Sequence, residues 1–454
     1  MSIIRTLAIA KAAGGGGGGD ITTQSLSVTA NGQYTAPSGK AYTPVSVDVQ
    51  PTLQQKTATE NGVVTPDTGY DGLSQVTVNV SGGGGGSVPE KDVNFYDYDG
   101  TCVAAYTAAE FAALTAMPAN PDRTSEGLTA QGWNWTLADA KAYVASYSML
   151  NVGQMYITTD GKTHIHIHLE AGRTTPNLGI GLKGTADVDW GDGTAHDTLT
   201  GTSLGTAKRK VHAYAEPGDY VIKLSISGSA QFVSGQSGEP SLLLRYSVFS
   251  DTRNNYYVRS ITRIHVGNGF SNLSQYAFAQ CQQLSALTVP NGINGIGAYA
   301  FNQCSNLSNL NVPSSNGAIS SRVFSDCTKI EHINLGKEIQ TIGTYAFYLC
   351  CCMRKTSIPS GVTTIDQSVF ERCYSMGRIA IPSTITTIKN NAFCDCTGAG
   401  EIHFYSTVPP TVDNANAFSG LPADCKIYVP TGSLSAYTSA TNYPSSSTYT
   451  YIEE

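Results

Sequence analysis

The chain has 454 residues, too many for one core, so several domains are expected. Charged residues make up only 13% and the net charge is −7 with no basic block, which argues against a nucleic-acid partner. No apolar run approaches the ~18 residues that cross a bilayer, so membrane insertion is not expected.

Residues 1–19 begin "MSIIRTLAIAKAA", with Ile3, Ile4 and Leu7 on one side of a short helix, followed by Gly14–Gly19. The apolar stretch is brief and broken by Lys11, so it reads as an anchor helix on a glycine tether and not as a secretory signal. No sorting motif or membrane tail stands at the carboxyl end, and folding in the cytosol is expected.

Residues 20–87 hold a duplication. "SVTANGQYTAPSGKAYTPVSVDV" is matched by "TATENGVVTPDTGYDGLSQVTVNV", with Asn31-Gly32 recurring at Asn61-Gly62. Each copy predicts short strands around turns and ends in alternating valines; Gly82–Gly86 then forms a second tether. Residues 88–155 predict an α/β connector, because Thr107 with Glu110 and Thr136 with Asp139 have the spacing of helix-start boxes. Trp133 and Trp135 are expected to pack beside the second helix.

From Tyr156 the pattern becomes β, with Asp160-Gly161 as a hairpin turn. "VDWGDGT" (188–194) and "HAYAEPGDYVIKLSISG" (212–228) resemble a PKD-type immunoglobulin-like domain. That resemblance implies a β-sandwich over 156–250, a spacer or binding module whose motif residues are structural. Asp187, Asp189 and Asp192 therefore read as turn residues; a calcium site needs more oxygen ligands. His164, His166 and His168 share one strand face and are weak metal candidates, without evident supporting residues. No metal or other cofactor is expected.

Over residues 251–405 phenylalanines stand at 278, 301, 324, 347, 370 and 393, each followed three residues later by cysteine. Ile296, Ile319, Ile342, Ile365 and Ile388 keep the same 23-residue step, which defines a solenoid of stacked coils. Each coil predicts a short strand, a turn and one helical turn ending in Ala-Phe-x-x-Cys. The pattern resembles the BspA-like leucine-rich repeats, and "CKIYVPTGSLSAYTSATNY" within 406–454 looks like the closing cap. The column cysteines are expected to be buried thiols, since parallel Cβ vectors on stacked coils suit disulfides badly. Cys351 and Cys352 occupy solvent-type positions and are expected to be exposed.

The fold class is thus multidomain and β-rich: small β repeats, an α/β connector, a PKD/immunoglobulin-like sandwich and a C-terminal leucine-rich-repeat solenoid. No nucleophile elbow, phosphate loop or zinc-protease motif is present, and no catalytic residue is assigned. Candidate binding residues are the outward strand positions: Thr288, Asn309, Asn311, His332, Asn334, Lys355, Ser357, Arg378, Glu401 and His403. Varied polar groups on a regular scaffold suit an extended binding face. Replacing Asn311, Asn334, Lys355 and Arg378 with Ala should then weaken adsorption and leave melting nearly unchanged.

Domain order, and the similarity of Val93–Val144 to segments of phage structural proteins, lead to a non-enzymatic tail fibre or receptor-binding protein as the first functional expectation. It would be assembled in host cytoplasm, attached by its amino end to virion tail or baseplate proteins, and bind a host surface receptor, with a homotrimer among its options. The alternatives are a bacterial leucine-rich-repeat surface adhesin and, behind it, a glycan depolymerase.

Overall fold

The computed structural model describes residues 88–232, 260–313, 317–354 and 356–454, together with short strands within 5–77. The chain divides into two units, Met1–Val88 and Pro89–Glu454.

In the first unit, each duplicated copy carries three strands at matching places. They are Gln24–Val28, Gly32–Tyr34 and Val45–Val47 in one copy, and Lys56–Ala58, Val63–Pro66 and Val76–Thr77 in the other. The helix expected over residues 1–13 is replaced by a strand, Arg5–Ile9, which pairs antiparallel with Gln24–Val28 and parallel with Lys56–Ala58. Thirteen residues are too few to hold a helix alone, and two strand edges are available to pair with this segment instead. Both glycine tethers lie outside the described residues.

The second unit begins with the connector. Its four-stranded sheet has the order Leu128–Trp133, Leu150–Thr158, Val93–Tyr96, Cys102–Tyr106. Thr107 closes a full capping box with Glu110 at the start of helix Ala108–Ala112. Thr136 caps helix Leu137–Tyr147 through the Asp139 amide. Both helices bury apolar residues against one face of the sheet, where Phe111, Tyr143 and Val144 join Val93, Phe95 and Val152 in one cluster. Trp135 packs on Tyr143 with ring centroids 5.2 Å apart, as the sequence suggests.

Asp160-Gly161 forms a turn, but the flanking strands do not pair with each other. Leu150–Thr158 stays in the connector sheet, whereas Thr163–Leu169 pairs with Gly218–Phe232 and Ile261–His265. The turn passes the chain from one sheet to the next.

The sandwich expected over 156–250 is not what the described residues form. Its strands lie in one sheet of order Asp197–Val211, Asn177–Asp189, Gly218–Phe232, Thr163–Leu169, and this sheet continues through Ile261–His265 into the first solenoid strand, Ala286–Thr288. The tip of Gly218–Phe232 also pairs in parallel with Phe270–Leu273, on another side of the first coil. Phe232 stacks on Phe270 at 4.4 Å and meets Phe278, the head of the phenylalanine column, at 4.9 Å. The apolar face of the sheet and the solenoid interior therefore form one core, from Ile165 to Tyr437. A sheet needs a second layer and a coil array needs its open end covered; here each supplies the other.

The solenoid coils are joined on three sides. Along the first run parallel strands such as Asn309–Asn311 with His332–Asn334, and Arg378–Ile381 with Glu401–Phe404. The second joins Leu273, Ile296 and Ile319 by single bridges and then short pairs such as Thr364–Ile365 with Thr387–Ile388. The third replaces the expected helical turn. Tyr276, Phe278 and Gln280 donate their amides to Ala298, Ala300 and Asn302 of the next coil, while Ala279 and Cys281 bond within their own turn. This alternation puts two non-glycine residues per coil in the left-handed region, for example Tyr299 (φ 59°) and Gln303 (φ 61°), and the inter-coil hydrogen bonds offset that strain.

Inside, Phe278 to Phe418 stack at 5.3–5.7 Å with nearly parallel rings. Strands Lys426–Val429 and Thr450–Glu453 and the short helix Leu434–Thr438 complete the cap, extending the parallel sheet at its far end.

Candidate functional site

Within the second unit, the outward strand positions of the solenoid are not an open face: the connector lies across them. Asn309, Asn311, His332 and Asn334 are buried, as are Thr288, Ser357 and His403. Arg378 and Glu401 are half-buried, and Lys355 falls outside the described residues.

The contacts are specific. Asn309 Nδ2 donates to the carbonyls of Asp97 and Tyr98, at 3.1 and 3.2 Å. Asn311 Nδ2 donates to Tyr96 and Gln154 carbonyls, at 3.3 and 2.9 Å, and its Oδ1 accepts from Asn309 and Asn334. Tyr96 stacks on His332 at 4.2 Å. In return Asn134 Nδ2 reaches the carbonyls of Val312 and Asn334, and the Trp135 indole donates to Leu335. Tyr143 OH donates to Ile358, and Ser357 Oγ accepts the Asn151 amide at 3.0 Å. Tyr405 OH closes the far end on the Tyr147 carbonyl. Gly153 is glycine because a Cβ there would stand 2.5 Å from Asn311 Cγ.

At its buried positions the expected binding ribbon is thus an internal interface, and replacing Asn309, Asn311 or Asn334 cannot be neutral for stability. Most of the strand sequence does not mark them as covered, since their polar groups suit solvent as well as a polar lid. The asparagines at 309, 311 and 334 are the one available signal: neutral amides can both donate to and accept from another backbone. Glu401 and His403 stand on the last coil against the cap, where His403 bonds Glu454 at 2.8 Å and stacks on Tyr428 at 4.2 Å. Arg378 donates to Tyr405 OH, and Thr288 pairs with His265.

The histidine strand does not assemble a metal centre. His164 pairs with Asp160 at 3.0 Å and His168 with Asp219 at 2.8 Å, while His166 faces His265 edge-on at 5.5 Å. Burial, reinforced by Arg263, pushes the His166 pKa down to about 4. Among the described residues no group of three metal-ligating side chains converges.

The WGDG turn is locally structural. Trp190 stacks on His212 at 4.6 Å and donates to Asp197, and Tyr214 OH donates to the Trp190 carbonyl. Asp192 holds His212 at 2.7 Å, and Asp187 holds His196 at 3.0 Å.

The cysteine column consists of free, buried thiols. Cys304, Cys327, Cys350, Cys373 and Cys396 each donate to the carbonyl of a phenylalanine one coil earlier, at 3.0–3.2 Å. Burial raises the pKa of all five. Cys352 is exposed, whereas Cys351 is only half so.

This architecture defines a capped leucine-rich-repeat solenoid. Residues 252–377 and 370–452 match the model of the BspA type leucine rich repeat region, in six copies, so this part of the chain is a repeat array of that type. No curated protein matches the chain. Among solved structures it is similar to a leucine rich cell surface protein of Faecalibacterium prausnitzii, with 21% identity, a TM-score of 0.29 and coverage of 39% of this chain and 62% of that one. It is also similar to a leucine-rich repeat protein of T. pallidum, with 24% identity, a TM-score of 0.26 and coverage of 29% and 65%. The pneumococcal vaccine antigen PcpA shows 16% identity, a TM-score of 0.27 and coverage of 42% and 61%. The chain thus spans less than two thirds of the length of each of these three proteins.

Proposed function

We propose that this chain is a non-enzymatic adhesion protein of the bacterial surface type, built to present a rigid binding scaffold. One observation carries the reading: a BspA type repeat array whose coils are locked on three sides, so that outward groups are preset and lose little freedom on binding. This is the second of the placements weighed from sequence. The tail-fibre placement rests on domain order and on segment similarity in the connector, and neither the family match nor the similar structures add support to it.

Recognition falls to solenoid surfaces other than the strand face, because the connector occupies that face. The test uses the full chain, fluorescently labelled, with bacterial and epithelial cells and their extracted surface polysaccharide. Saturable binding to cells or polymer without release of reducing ends is expected. Lack of saturable binding overturns the adhesion reading, and fragment release overturns its non-enzymatic part.

A further inference from the structure

Among the described residues, the solenoid carries an open groove of about 580 Å³ across the second side of its first three coils, lined by no connector residue. We infer that this groove binds a neutral, hydroxyl-rich chain, an oligosaccharide, a reading that rests on the adhesion role proposed above.

Its shape comes from two glycines that the backbone does not require. A Cβ at Gly295 would find its nearest neighbour at 3.9 Å, and one at Gly317 at 4.0 Å, and neither residue has a left-handed φ. Gly297 in the same wall differs, since a Cβ there would stand 2.4 Å from the Gln275 amide. Farther along the solenoid, the column containing Gly295 holds Thr341, Thr364 and Thr387, and the column containing Gly317 holds Gln340, Thr363 and Thr386. Past the groove both columns carry side chains larger than alanine; over it they shrink to Gly295, Ala318 and Gly317, with Asn272 and Asn294 at its near end.

The walls set the chemistry of the occupant. Asn272 and Asn294 contribute amides and Ser320 a hydroxyl oxygen whose proton goes to the Ile296 carbonyl, and no lining residue is charged. In later coils the column of Ser274 and Ser320 carries the ion pair Asp366–Lys389, so neutrality is a local property. A charged ligand would be left without a counter-charge there. An apolar one would take water away from the amides and the Ser320 hydroxyl of the groove wall and give nothing back. Hydroxyls, which donate and accept, suit amides and serines on both counts. The volume falls within the roughly 300–1,000 Å³ of ordinary ligand sites.

The test is Gly295→Thr with Gly317→Thr, giving the groove the fill that later coils already carry. The full chain is titrated calorimetrically with neutral gluco-, manno- and xylo-oligosaccharides, with polygalacturonate as a charged probe. At least one neutral probe should bind, about tenfold or more weaker in the double variant, at an unchanged melting temperature. The double Gly→Ala variant, which fills less, should fall between. Absence of neutral binding, equal binding by the Thr variant, or preference for polygalacturonate overturns the proposal. Cell adhesion measured alongside separates the two readings: adhesion that survives the Thr variant removes the groove and keeps the adhesin, and a parent that does not adhere removes the adhesin.

Discussion

Replacing Asn311 by Leu keeps most of the side-chain volume and removes four hydrogen bonds, two donated to Tyr96 and Gln154 and two accepted from Asn309 and Asn334. At a net contribution of about 1 kcal/mol each, the loss is about 4 kcal/mol. Asn309 and Asn334 keep other acceptors, so the damage concentrates on the connector carbonyls, which have no water to turn to. Hydrogen exchange should detect it first. Amides of Val93–Tyr96 and Leu150–Thr158 should lose protection about a thousandfold, at about 1.4 kcal/mol per decade, while the Phe370–Phe393 region changes much less. If those strands keep parental protection and melting is unmoved, the outward positions are the free surface that the sequence suggests, and the covered interface is wrong.

Phe347→Ala should cost about 3–5 kcal/mol in denaturant unfolding, because its ring is fully buried between Phe324 and Phe370. In thiol labelling Cys352 should react first, Cys351 more slowly and the column cysteines only on unfolding; because partial burial raises the Cys352 pKa, its rate should climb at higher pH than that of a free cysteine. Burial, aided by neighbouring positive groups, lowers the pKa of His166 to about 4 and of His265 to about 3, from 6.5. Below 6.5 the unfolded chain therefore takes up protons that the folded one refuses. Their contribution is complete above about pH 6.5 and declines as pH falls towards 4, so urea midpoints at pH 7.5 and 4.5 should differ less in His166→Phe than in the parent.

The sequence was most legible where a constraint repeats. Phe278 through Phe393 and their cysteines sit in equivalent environments coil after coil, and an identical packing problem returns an identical residue at a fixed step. The WGDG turn was legible locally, since Trp190, Asp192, His212 and Tyr214 do bind one another. Its sheet was not, because whether strands close on a second sheet or on a neighbouring solenoid depends on surfaces far away in sequence. The connector's lid was the least legible: Asn134 and Asn334 are 200 residues apart, and each looks like an ordinary polar residue until the other is placed. Left-handed Tyr299 and Arg322 were also hidden, since neither type advertises that conformation.

A stack of identical coils, each bonded only to its neighbours, can come apart from either end one coil at a time. Here the connector touches Asn309, Asn334, Ile358, Ser383 and Tyr405, which belong to successive coils. It works as a splint. Fraying at any of these coils must also break bonds to a body that still grips the others, so a gradual unravelling becomes a single all-or-none event. If the chain bears load, as the proposed adhesion role requires, that would convert many weak sequential steps into one high barrier. The tension at which the middle coils open would then be set by the connector and not by the repeats themselves.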